Sequence, residues 1–210
     1  MSSPIRLSLH PSAAERAALA DLQAASWRDA YRGVLPDAFL DGPEEDPRSL
    51  AARLGAEWSD LRLATEDLLL TLGDPLAPDA FAVVLGDPGA SRTVAEAQPS
   101  AEAPRPYLDH LHARPAARGQ GLGEALLRDA ARRLIGRDRP GLWLWVFEVN
   151  DGARRFYARL GAQEEARARQ APYGQPQPCL RLGWDAAGLA ALARPSPDPQ
   201  RGRSAGPTRA

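Results

Sequence analysis

The chain of 210 residues contains no lysine; all 26 of its basic side chains are arginine. A nucleotide-hydrolase phosphate loop needs a lysine beside its glycines, and Schiff-base chemistry needs a lysine amine, so both are excluded. Cysteine is almost as scarce. Cys179 stands alone and cannot close a disulfide within the chain, and with only three histidines it makes a poor zinc site. The net charge is −1, which gives no electrostatic reason to expect nucleic acid or an anionic membrane as a partner. No run approaches the roughly 18 apolar residues of a membrane helix. The opening MSSPIRLSLHPS lacks the basic and apolar regions of a signal peptide. These absences predict a cytoplasmic protein without a metal.

What is present is an ordinary globular mixture, 44% hydrophobic and 25% charged, long enough for one self-supporting core. The 20 prolines and 18 glycines predict many turns. Ile5 to Leu9 reads as a strand. Pro11 and Ser12 open a helix running to about Tyr31, with Leu19, Leu22 and Ser26 on one stripe and Trp27 and Tyr31 beside it. Pro36 starts a short helix, GPEEDP is a turn, and Ser49 to Trp58 is helical again, with Leu50, Leu54 and Trp58 aligned. Apolar runs at 67–72 and 80–85, joined by GDPLAPD, read as an antiparallel pair. The stretch 87–106 reads as a long loop.

From Tyr107 the pattern sharpens. Tyr107 to Ala113 is a strand, and alternation along it puts Asp109 on the face of Tyr107 and Leu111, with His110 and His112 opposite. RPAARGQGLG follows, then a helix from Glu124 that buries Leu126, Ala130 and Leu134. GLWLWVFEV is apolar on both faces and belongs at the sheet centre, with Trp143, Trp145 and Phe147 in the core. Asn150 or Asp151 caps a helix that closes at Gly161; strands at 163–168 and 179–184 and a small helix at 186–193 complete the fold. Residues 194–210 carry Pro and Arg without a large apolar side chain and read as a disordered tail after a single domain at 1–193. The class is mixed α/β around one sheet.

Arg118-Gly119-Gln120-Gly121-Leu122-Gly123 joins a strand to a helix start. Glycines let the backbone approach a ligand, and first-turn N–H groups with the helix dipole suit a pyrophosphate. A dinucleotide fingerprint fails in register, because Glu124 or Leu126 stands where its last glycine belongs. His110 and His112 could pair on a metal at i, i+2, but no third ligand is evident.

LHARPAARGQGLGEALL, with NDGARRFYARLG downstream, resembles the GNAT superfamily of acetyl-CoA-dependent N-acetyltransferases. SWRDAYRGVLPDAFLD is similar to the first two helices of many small bacterial members. The resemblance covers about residues 5–184 and implies a mostly antiparallel mixed sheet of about six to seven strands, flanked by helices and splayed between the fourth and fifth. It implies acetyl-CoA as co-substrate, cradled by backbone amides of Arg118, Gly119, Gln120, Gly121, Leu122 and Gly123. Main-chain groups of Leu111 and Ala113 and the side chain of Asn150 would hold the pantetheine arm.

The resemblance also implies transfer to a primary amine of a small molecule or peptide, without an acyl-enzyme, with Tyr157 as general acid. Trp27, Tyr31 and Tyr173 are its acceptor-site candidates, and a homodimer is common among relatives. The sequence departs from the family pattern at Tyr107, where many relatives carry a glutamate base; Asp109 and His110 are the nearby alternatives. That departure leaves open a non-catalytic module that binds acyl-CoA without turnover.

Overall fold

A computed structural model describes residues 4–86, 105–170 and 176–195. The predicted tail beyond 195, most of the 87–106 loop and Tyr173 lie outside the described residues.

In chain order the elements are β1 Arg6–Leu7, α1 Ala13–Tyr31, α2 Asp37–Leu40, α3 Leu50–Asp60, β2 Leu68–Asp74, β3 Ala77–Leu85 and β4 Tyr107–Ala113. A 3₁₀ turn at Pro115–Ala117 leads to α4 Leu122–Ile135, β5 Leu142–Phe147, α5 Asp151–Arg159, β6 Gln163–Gln170, β7 Gln177–Trp184 and α6 Ala186–Ala193. α1 starts where Pro11-Ser12 predicts: the Glu15 N–H donates to the Ser12 hydroxyl at 3.3 Å, and the Ser12 N–H donates to the Glu15 carboxylate at 2.7 Å. Among the described residues no helix is long and apolar enough to cross a membrane.

The seven strands form one sheet in the order β1-β2-β3-β4-β5-β7-β6. Every neighbour pair is antiparallel except β4–β5, which is parallel and touches at one position, Tyr107 opposite Trp143. The two central strands therefore part after their first residues. This is the splay expected between the fourth and fifth strands.

Each face of the sheet carries a core. Leu68, Leu70, Leu126, Leu144, Leu180 and Trp184 belong to the core under α4, α5 and α6. Leu19, Leu22, Leu54, Trp58, Phe81 and Trp143 belong to the core under α1 and α3. Each face buries a row of large apolar side chains, worth about 1.5–3 kcal/mol apiece for full burial.

The predicted antiparallel pair forms, but one boundary and one pattern need correction. β2 and β3 run into GDPLAPD, leaving a tight turn in which Asp74 accepts from the Leu76 N–H at 2.8 Å. Its proline and glycine hide the strands, yet Pro78 pairs opposite Gly73 next to a register shift, where a missing N–H is tolerated. The alternation along β4 also fails. Val83 pairs with His110 and Val84 with Leu108, so Asp109 is an extra residue in a bulge. Tyr107 consequently shares the α1/α3 core, where His110 and His112 contact Phe81, while Leu108, Leu111 and Ala113 pack on the opposite core.

Candidate functional site

A cleft of about 1630 Å³ opens where β4 and β5 part. One wall is main chain. Gly119 and Gly121 have φ of 76° and 77°, a left-handed conformation that disfavours any side chain by about 1–2 kcal/mol. A Cβ on either residue would meet nothing within 4 Å, so these glycines answer to backbone shape and leave the space above them open. Gly121 caps α4 without a side-chain hydrogen bond, and the first-turn N–H groups have no acceptor inside the helix. Gly123 has a different duty: a Cβ there would lie 3.4 Å from the Phe156 ring, so it lets α4 and α5 close up. Arg118 turns toward α1, pairing with Asp29 and donating to the Ser26 carbonyl at 3.3 Å.

The end of β4 faces the same cleft, with Leu111 and Ala113 past the last β5 partner. Across the splay stands α5. Asn150 caps it by accepting from the Ala153 N–H at 3.0 Å, as the sequence predicts. The other end of the Asn150 amide donates to the Tyr31 hydroxyl at 3.1 Å, a link between α1 and α5 that no local pattern announces.

Tyr157 is 8% exposed and lines the cleft. Burial, and then the neighbouring Tyr31 phenol, push its hydroxyl well above the usual 10, so it stays protonated at any working pH. Cys179 also lines the cleft, and burial pushes its thiol up to about 11, leaving it a neutral thiol and a poor nucleophile.

The wall opposite the glycines is made of side chains. Trp27 and Tyr31, four apart on α1, meet at 4.8 Å between ring centroids; Phe147 of β5 joins them at 6.0 and 5.3 Å. Trp143 and Phe147 are buried as predicted, Phe147 also lining the cleft, whereas Trp145 is only half-buried there. Deeper in, His110 Nε2 lies 3.1 Å from Glu57 Oε1 of α3 and 3.4 Å from Asp109 Oδ2.

Burial alone would pull His110 down; the charge of Asp109 and the hydrogen bond and charge of Glu57 outweigh it, and its pKa rises above 6.5. Burial raises the Asp109 carboxyl, with His110 opposing. His112, bonded through Nδ1 to the Ser26 hydroxyl at 3.3 Å, is driven well below 6.5 by burial and by His110 beside it. Sequence reasoning missed Glu57. Its one signal is a carboxylate next to Trp58 at the edge of α3's apolar stripe.

Residues 81–162 match the model of the acetyltransferase (GNAT) family. No curated protein matches the chain. Among solved structures the chain is similar to apo YjaB from Escherichia coli at 21% identity and TM-score 0.58, covering 88% of this chain and 98% of that one. It is similar to the PaiA N-acetyltransferase from Thermoplasma acidophilum in complex with coenzyme A at 15% identity and TM-score 0.56, covering 86% and 99%. A third is aminoglycoside 6′-acetyltransferase type Ii, at 14% identity and TM-score 0.56, covering 87% and 97%. The splayed seven-stranded sheet is the GNAT fold of these solved structures, and the family model matches its residues 81–162.

Proposed function

We propose that the chain is an acetyl-CoA-dependent N-acetyltransferase acting on a primary amine of a small molecule or peptide, with residues 1–193 as its single domain. One observation carries the reading: the uncapped start of α4, with open space above Gly119 and Gly121, shares a cleft with Tyr157 and His110 at the strand splay. The donor set fits the co-substrate. N–H groups at residues 119–123 suit a pyrophosphate, while that of Arg118 donates to the Pro115 carbonyl at 3.3 Å; space that a Cβ would fill is what a closely approaching phosphate requires. Leu111, Ala113 and Asn150 would flank the pantetheine arm between the parted strands.

Acetyl-CoA would supply an acetyl thioester. The chain's own residues then have three tasks. The aromatic wall of Trp27, Tyr31 and Phe147 holds the body of the acceptor and excludes water. The polar group of His110 and Asp109 takes the proton that an ammonium must lose before its nitrogen can attack the carbonyl. Tyr157 donates its phenolic proton to the sulfur as the C–S bond breaks. The buried phenol stays protonated and so keeps an O–H to present to the departing sulfur, and a cysteine held as a neutral thiol supports direct transfer over an acyl-enzyme.

Steady-state thiol release from acetyl-CoA against a panel of primary amines tests this. Amine-dependent release with stoichiometric N-acetyl product supports it. Calorimetric CoA binding without turnover on any amine would reduce the chain to an acyl-CoA-binding module.

A further inference from the structure

α3 reads LAARLGAEWSD, and its inward stripe is Leu50, Leu54 and Trp58, each below 3% exposed. Glu57 precedes Trp58 and falls on the edge of that stripe, where helical spacing places a side chain half inward. Its side chain is 36% exposed, and its carboxylate faces His110 at 3.1 Å. Trp58 lies against the same imidazole, ring centroids 5.5 Å apart and planes 30° from parallel, and its indole N–H is anchored on Gln23 at 2.8 Å. Phe81 stands 6.1 Å away on the neighbouring strand. α3 thus delivers an aromatic ring against the face of the imidazole and a carboxylate at its edge.

The bulge in β4 turns Asp109 toward the same nitrogen at 3.4 Å. Two carboxylates cannot both face an imidazole lone pair, so the proton of the neutral ring sits on Nε2 and the lone pair on Nδ1. The two acids are not equivalent. Glu57 is closer and keeps contact with water, whereas burial works against the charge on Asp109.

We propose that Glu57 is the positioning residue for the base: from α3 it holds the His110 imidazole as the Nε2–H tautomer, oriented to accept the acceptor's proton at Nδ1. This rests on the acetyltransferase reading above. The charged and titratable groups around His110 are Glu57 from α3 and Asp109 and His112 from β4; Asp67, ahead of β2, acts on Asp109. From α1 come only the neutral Gln23, through Trp58, and Ser26, through His112. Glu57 therefore has two separable effects on the reaction. It orients the ring, which acts on kcat, and it favours the imidazolium, which delays the appearance of the base as pH rises.

The test combines NMR titration of histidine-labelled protein, its three histidines assigned with His110→Gln, with pH profiles of kcat and KM on the best amine of the panel. In Glu57→Gln the His110 midpoint moves to lower pH and the rising limb of activity moves with it. The kcat falls on the order of 10–100-fold, as for other carboxylates that orient a working histidine, while KM for acetyl-CoA stays within about twofold. Glu57→Asp restores part of both, and it serves in place of the amide variant if that variant does not fold. An unmoved His110 midpoint, a loss of kcat without the shift, or an Nδ1–H tautomer in the wild type overturns the proposal. Absence of turnover on every amine by wild-type protein instead overturns the acetyltransferase reading, with the catalytic role of Glu57, and the wild-type tautomer then reports only on the fold.

Discussion

The two walls of the cleft are built from different materials. The wall at the start of α4 is backbone: two left-handed glycines, an uncapped helix end and one arginine already paired with Asp29. The wall under α1 and α3 is side chains from four distant stretches, with Glu57, His110 and Asp109 in one contact group and Trp27, Tyr31 and Phe147 in another. A backbone wall depends on φ and ψ and tolerates changes of side chain. A side-chain wall depends on the packing that orients each group, so remote changes reach it.

The strongest way to separate the walls is Tyr157→Phe. It removes only a hydroxyl, so kcat falls on the order of 10²–10⁴-fold while calorimetry finds CoA affinity unchanged. Unaltered turnover returns Tyr157 to the core it borders. Next comes Trp58→Phe, which acts through the His110 ring that it packs against. It strands the buried Gln23 amide, costs about 1–3 kcal/mol of stability in urea unfolding, and lowers kcat by loosening the ring against His110. Loss of stability with an intact kcat would show that the side-chain wall does not need this support.

Gly121→Val attacks the backbone wall. Forcing a β-branched residue to positive φ costs about 1–2 kcal/mol, and KM for acetyl-CoA rises about tenfold with little change in kcat. The partner substitution, Gln120→Ala, changes KM by less than about twofold, because that wall contributes N–H groups and not side chains. A larger effect of Gln120 than of Gly121 would reverse the comparison.

The last effect is a slope and belongs to the side-chain wall alone. His112 has a folded pKa below 6.5, so the unfolded chain binds a proton that the native state refuses; stability is full above about 6.5 and falls as pH drops below it. His110 has the opposite sign. Its raised pKa contributes stability that is complete below 6.5 and is lost as pH rises through the folded value. In urea titrations across pH, His112→Asn flattens the acid side and His110→Asn the alkaline side. Profiles that coincide with wild type would mean these rings are not the groups that titrate.

The contrast between the walls also accounts for what could be read in advance. R-G-Q-G-L-G is contiguous, and its conformational demands are local: glycine permits positive φ, and a helix that follows leaves its N–H groups unmatched. The Asn150 cap and the Gly161 terminus were readable for the same reason, one from a side chain three residues from its donor and the other from a glycine at φ 87°. The bulge at Asp109 was not. YLDHLHA alternates well enough to pass for a regular strand, and only pairing with Val83 and Val84 shows the extra residue that carries Tyr107 to the histidines' side. The strands inside GDPLAPD were hidden by turn-forming residues that the sheet accommodates next to an irregular register.

The 26 arginines and the absence of lysine excluded lysine chemistry before any fold was known, and short-range patterns of glycine, caps and apolar spacing determined the elements and the glycine loop before α4. Those properties depend on backbone sterics and on neighbours within a turn or two, which sequence states directly. Tertiary structure alone decided that Glu57 meets His110, that Asn150 meets Tyr31 and that Arg118 is held by Asp29. Each of these contacts joins elements far apart in the chain, and its geometry exists only once helices pack across the sheet at a particular register.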